Sequence, residues 1–163
     1  MDKLTLLTKR MCAYFAGDPK RIQHFLKVHA FARLIAAEEG LGPETRELLE
    51  AAALVHDIGI KKAEEKYGKC DGKLQEQEGP AEARRILSGL DFDEETVQRI
   101  CWLVGHHHTY SNMDGVDYQI LVEADFLVNL FEHGTEKSAI QSAYDRVFAT
   151  ETGKWYCRTL FDL

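Results

Sequence analysis

The sequence predicts an all-α protein, and three observations carry that reading. Apolar residues recur at helical spacing in successive segments. Proline, glycine and acidic residues stand where those segments begin and end. The 163 residues supply enough chain to bury a core within one domain, taken here as residues 1–163.

Residues 2–16 form a first helix, with Leu4, Leu7, Met11 and Phe15 along one side. Gly17 closes it, and Asp18-Pro19 supplies a cap and a first-turn proline for a second helix that runs to about Glu39. Ile22, Phe25, His29, Ala32 and Ala36 lie along its inner face, so His29 is expected to point into the core and His24 to lie off that stripe. Gly40-Leu41-Gly42-Pro43 is a turn. Pro43-Glu44 starts a third helix, in which Leu49, Ala53 and His56 share a stripe and the small alanines allow a neighbour to pack closely.

Residues 60–79 read as irregular, a lid or connecting loop, because Gly68, Gly72 and Gly79 interrupt a solvent-like run of charges. Pro80 is expected to open a short helix to about Leu87. Asp91 and Glu94 have the spacing of a capping box, with Val97, Ile100, Cys101 and Val104 as the apolar side of the helix that follows. That helix runs into His106-His107-His108. Residues 116–132 make a helix in which Asp125 sits among Leu121, Val128 and Phe131, and residues 137–150 make a last one. The Trp155-Tyr156-Cys157 tail either folds back onto the body or forms a dimer surface.

Composition narrows the functional classes. A formal charge of −7, from 27 acidic and 20 basic residues, disfavours a nucleic-acid polymer as partner. A small phosphorylated ligand stays compatible with it, since metal ions and a few local bases reverse the field inside a pocket. Cys12, Cys70, Cys101 and Cys157 make no CxxC pair and read as reduced thiols. No apolar run approaches bilayer length and no signal peptide is evident, so a cytoplasmic protein with no membrane partner is expected.

Ala51-Ala52-Ala53-Leu54-Val55-His56-Asp57-Ile58-Gly59 is the centre of the chain. A histidine next to an aspartate at the end of an apolar helix needs partners, either a metal ion or backbone groups that close the helix. Asp125 within its apolar stripe has the same need. His29, His56, Asp57 and Asp125 together place four ligand-type groups on three helices, the minimum for a metal on a rigid scaffold.

In their order and spacing, Val28-His29-Ala30, Leu54 to Gly59, Gly105 to His108 and Ile120 to Asp125 resemble the H…HD…D pattern of the HD-domain superfamily of metal-dependent phosphohydrolases. The resemblance spans about residues 20–130. It implies an HD-domain-like orthogonal helical bundle with a five-helix core and one or two divalent ions (Fe, Mn, Zn, Co, Ni or Mg). His29, His56, Asp57 and Asp125 would be the primary ligands, with Asp57 placed to bridge a second ion. Binuclear relatives add histidines from the regions corresponding to 75–80 and to the helix end, where His106 and His107 fit and His108 reads as surface. Residues 74–80 contain no histidine, so Glu76 or Glu78 would have to serve, unless both are solvated charges. The Gly-Tyr-Pro signature of the cyclic-dinucleotide branch is absent.

The implied reaction is hydrolysis of a phosphate ester, from a nucleotide or another small phosphorylated metabolite. Asp57 would orient the attacking water, and His106 or His107 would coordinate or contact the phosphate and leaving oxygen. Lys61 or Lys62 is a candidate phosphate contact or a solvated lysine pair. Arg33 is a candidate clamp or a surface ion pair. A di-iron oxygenase of the same fold and a catalytically silent binding protein are the competing readings, and a homodimer is left open.

Overall fold

A computed structural model describes residues 1–163 as nine helices and no strands, packed as an orthogonal bundle. In chain order these are α1 (Lys3–Tyr14), α2 (Pro19–Glu38), α3 (Pro43–Val55), α4 (Gly59–Tyr67), α5 (Gly72–Leu87), α6 (Glu94–Val104), α7 (Val116–Glu132), α8 (Lys137–Val147) and α9 (Glu151–Phe161). Side-chain caps explain many of the starts. Asp2, Asp18, Asp71, Asp93 and Thr150 each accept a hydrogen bond from the backbone N–H three residues on, satisfying a donor the helix itself cannot.

The core forms around α3. Ala51, Ala52, Ala53, Leu54 and Val55 are all fully buried, so every side of the last turn meets another helix. Alanine makes this possible because its small side chain lets neighbours approach from several directions. α2 packs against both α3 and α7, and α6 and α1 cover other sides of α3. Residues 56–58 then turn the chain out of α3 and into α4.

Residues 60–79 are mostly helical, which corrects the expected irregular segment. α4 and α5 form an antiparallel pair around Gly68, whose φ of +71° closes α4 in the left-handed conformation. The glycines that made this region read as loop have packing roles. A Cβ on Gly59 would lie 2.5 Å from the Gln75 carbonyl oxygen and 2.8 Å from the Gly79 nitrogen, so the two helices touch backbone to backbone there. Pro80 lies inside α5 rather than at its start. Its missing N–H costs one intrahelical bond, and its ring packs beside Gly105 at the end of α6, where a Cβ would come within 3.1 Å.

Two further boundaries differ from expectation. The cap of α6 is Asp93, not Asp91, with Thr96 as its partner. The tail folds back as α9, burying Cys157 against the body while Trp155 stays half exposed. The anchor for this return is Glu123, fully buried on α7. Its carboxylate accepts from the Ala149 and Thr150 backbone N–H groups, the Thr150 hydroxyl and the Gln119 amide, a set that offsets the cost of burying the charge. All four cysteines are unpaired, and no helix is long and apolar enough to cross a membrane.

Because no side chain fits between α4 and α5 at Gly59, Gly59→Ala is expected to destabilise the protein by about 1–3 kcal/mol. Denaturant midpoints measure this, and an unchanged midpoint would refute the close contact.

Candidate metal centre

Four helices deliver polar side chains to one buried point. His56 and Asp57 stand at the break after α3, His24 comes from the second turn of α2, Asp125 from the middle of α7, and His107 from the turn after α6. His56 is fully buried; His107, Asp125 and His24 are 1%, 3% and 7% exposed. Asp57 keeps the most accessible edge of the group, which places the mouth of the site beside it.

The geometry is tight. His24 Nε2 lies 3.2 Å from His56 Nε2, 3.2 Å from Asp57 Oδ2 and 3.2 Å from Asp125 Oδ1. His56 Nε2 lies 3.4 Å from each of the same two carboxylate oxygens. On the other side of Asp57, Oδ1 is 3.3 Å from His107 Nε2.

The far nitrogens fix which atoms face the centre. His56 Nδ1 is 2.7 Å from the Ala53 carbonyl and His107 Nδ1 is 2.8 Å from the Val104 carbonyl. A carbonyl only accepts, so both rings donate from Nδ1 and turn Nε2 toward the centre, as the nitrogen left to take either a proton or a metal ion. His24 Nδ1 faces the Glu132 carboxylate at 3.3 Å, with the same consequence. Three Nε2 atoms therefore converge with two carboxylate groups. His107 Nε2 is buried with no hydrogen-bond partner at all.

Such a constellation needs positive charge. At His24, burial opposes the protonated ring, but hydrogen bonds to Asp125 and Asp57 outweigh it and lift the group from 6.5 to about 9. Burial opposes the charge on His56 too, and Asp57 and Asp125 still raise it well above its ordinary value. Burial would raise the carboxyls of Asp57 and Asp125, yet the facing imidazoles, His56 foremost, hold both well below the usual range. A divalent cation meets the same demand without protons.

The residues present fit a metal ion. Nitrogen and oxygen ligands bound at ordinary lengths to one ion, at tetrahedral or octahedral angles, lie about 2.8–3.6 Å from one another. The distances among His24, His56, Asp57 and Asp125 fall within that interval. Each histidine also has the outward Nδ1 hydrogen bond that orients a metal-binding imidazole. Asn129 donates to Asp125 Oδ1 at 2.9 Å and holds that carboxylate in place.

The structure brings together His56, Asp57, Asp125 and His107 of the residues singled out in the sequence. It does not bring His29. That ring pairs with Glu50 at 2.9 Å, on a different side of α2, and His24 stands where His29 was expected. Five residues separate the two, which is about 140° of helical rotation, so α2 cannot turn both toward α7. Residue His106 is also elsewhere, stacked on Trp102 at 3.9 Å between ring centroids with Nδ1 on the Trp102 carbonyl. His108 is the one that approaches Asp57 and His107.

Glu76 accepts from the Thr109 hydroxyl at 2.8 Å, and Glu78 pairs with Lys66 at 2.8 Å. The buried polar side chain of that segment is Gln75. Lys61 donates to the Tyr14 carbonyl at 3.1 Å and lies over the Tyr14 ring, toward α1. Arg33 is exposed in a shallow depression with His29, Arg46 and Glu50. His24 was legible as a candidate only through its own type, since it precedes the apolar residue Phe25 and falls outside the regular stripe.

Replacement of His24 by alanine is expected to remove most of the bound divalent ion, while His29→Ala leaves it in place; metal content after gel filtration distinguishes the two. A pH dependence follows as well. In metal-free protein the raised His24 stabilises the fold fully below about pH 6.5, and this contribution is lost as pH rises through about 9; the raised His56 acts in the same sense. The depressed Asp57 and Asp125 act in the opposite sense, stabilising above the ordinary carboxylate range and losing their effect as pH falls toward their lowered values. Thermal melts from about pH 6 to about pH 10 should therefore show falling stability without metal and a flatter profile with a bound divalent ion.

Comparison with known proteins agrees with this geometry. No curated protein matches the chain. A solved structure described as a predicted HD superfamily hydrolase from an uncultured Thermotogales bacterium superposes with a TM-score of 0.70 at 22% identity, covering 99% of this chain and 86% of that one. At that identity the likeness concerns the fold. The HD domain model matches residues 21–147, most of the chain and every residue of the His/Asp cluster, so the protein belongs to the HD-domain superfamily of metal-dependent phosphohydrolases.

Proposed function

We propose that this protein is a metal-dependent hydrolase of phosphate esters, acting on a nucleotide or another small phosphorylated metabolite, with residues 1–163 working as one catalytic unit. The observation that carries the reading is the convergence of three imidazole Nε2 atoms and two carboxylates, with His107 Nε2 buried and making no hydrogen bond among them.

His24, His56, Asp57 and Asp125 would hold the ion, a mixed nitrogen and oxygen set suited to iron, manganese, zinc, cobalt or nickel. When bound, such an ion lowers the pKa of a water and polarises a phosphoryl oxygen. The chain supplies the rest. The Nδ1 hydrogen bonds of His24 and His56 keep both rings from rotating. Asp57 offers one oxygen to the cluster and the other to His107, at the open edge where substrate and water enter. His107, its Nδ1 proton held by Val104, has a lone pair at Nε2 ready to take a proton from a water beside Asp57.

The di-iron oxygenase alternative needs a fully built second metal position, and the chain places a neutral amide, Gln75, against His108 there.

Hydrolysis of an aryl phosphate and of nucleoside monophosphates, before and after chelation, tests the proposal. Chelation should abolish turnover and a divalent ion should restore it; turnover indifferent to chelation would refute the reading. Asp57→Ala is expected to lose both metal and activity. His107→Ala is expected to keep the fold while turnover falls about 10²–10⁴-fold.

A further inference from the structure

Beside the His24, His56, Asp57 and Asp125 cluster lies a second group of donors, Asp57, His107 and His108, whose ligand atoms also come close together, with His107 Nε2 3.3 Å from Asp57 Oδ1. Two of these donors face each other across the shared space: Asp57 Oδ1 and His107 Nε2, which makes no well-formed hydrogen bond. The third is tied. His108 Nε2 lies 2.8 Å from Gln75 Oε1.

The direction of that bond is determined. Gln75 Nε2 donates to the Cys70 carbonyl at 2.7 Å, so the amide oxygen is the end that meets His108 and it can only accept. His108 must therefore carry its proton on Nε2, which leaves no lone pair there for a metal. Its remaining nitrogen, Nδ1, faces the Tyr110 hydroxyl at 3.3 Å. The ring cannot easily swing free, since α5 begins against it: a Cβ on Gly72 would lie 2.9 Å from His108 Cγ.

Charge points the same way. Once an ion displaces the protons from the ligating imidazoles, the two negative charges of Asp57 and Asp125 balance one divalent ion. A second ion would meet only side chains that bring no negative charge, His107, His108 and Gln75, and the already shared Asp57.

We infer that Gln75 latches His108 through its side-chain amide and so restricts this centre to one tightly held divalent ion. The inference rests on the proposed metal-dependent reading and specifies its stoichiometry. Gln75 is thus a positioning residue, acting on the metal centre through His108.

The latch is tested by Mn²⁺ titration calorimetry of metal-free protein, with bound ions counted by elemental analysis after gel filtration. Wild type should retain one equivalent. Gln75→His exchanges the acceptor for an imidazole at ligand distance from His108, and Gln75→Ala frees the His108 nitrogen; each should tighten the second equivalent by about 10- to 100-fold while the first is unchanged. Helical circular dichroism checks that the variants fold. Two tight equivalents in wild type, or no second-ion gain in both folded variants, would overturn the latch. Wild type that binds no Mn²⁺, Zn²⁺ or Fe²⁺ would overturn the metal-dependent reading itself, an outcome distinct from either of those.

Discussion

The structure depends on a buried concentration of imidazole nitrogens and carboxylates that needs positive charge at its centre. His24, His56 and His107 each donate from the outward nitrogen to an acceptor, so all three turn Nε2 inward toward Asp57 or Asp125. In a water-accessible site such a cluster would cost little. Here most of it is sealed from solvent, and the electrostatic demand must be met by protons or by a cation. The raised imidazoles and depressed carboxyls express that demand in the metal-free protein.

The fold provides the rigidity for this. The alanines at the end of α3 let α2, α6 and α7 close around His56 without a large side chain intervening. Gly59 and Gly79 let α4 and α5 join at backbone distance just beyond Asp57, fixing the direction in which the chain leaves the site. Glu123 performs an analogous task on the far side of α7, gathering the start of α9 onto the helix that carries Asp125. The polar groups of the site are thus held by apolar packing and glycine contacts at some distance from it.

Some of this was legible in the sequence for plain physical reasons. His56-Asp57 and Asp125 stood out because polar groups inside apolar helical runs need a partner, and the structure brings them together. His24 and His29 were confused because a helical stripe counts only apolar burial. The wall between α2 and α7 is built partly from the polar cluster itself, so the inward position lies at the edge of the apolar stripe. The three consecutive histidines failed differently. Helical phase does not continue past Gly105, so spacing could not say that His106 stacks outward on Trp102 while His107 and His108 turn in. Residues 60–79 looked irregular because glycine lowers helix propensity, and propensity carries no information about Gly59 and Gly79 touching each other.

The acidic character of the chain also takes a definite form around the site. Arg21 is held by Glu64 at 2.5 Å, Lys27 by Glu132 at 2.8 Å and Lys66 by Glu78 at 2.8 Å. These three bases are therefore already paired with acids, Lys61 on α4 is turned to the Tyr14 carbonyl, and Glu132 serves His24 at the same time. A polyanion needs many unpaired surface cations along its length, whereas a single phosphoryl group needs one strong positive charge at a defined point. This pairing favours the second kind of ligand: Arg21, Lys27 and Lys66 are compensated by acids, and a buried divalent ion would put positive charge at one defined point.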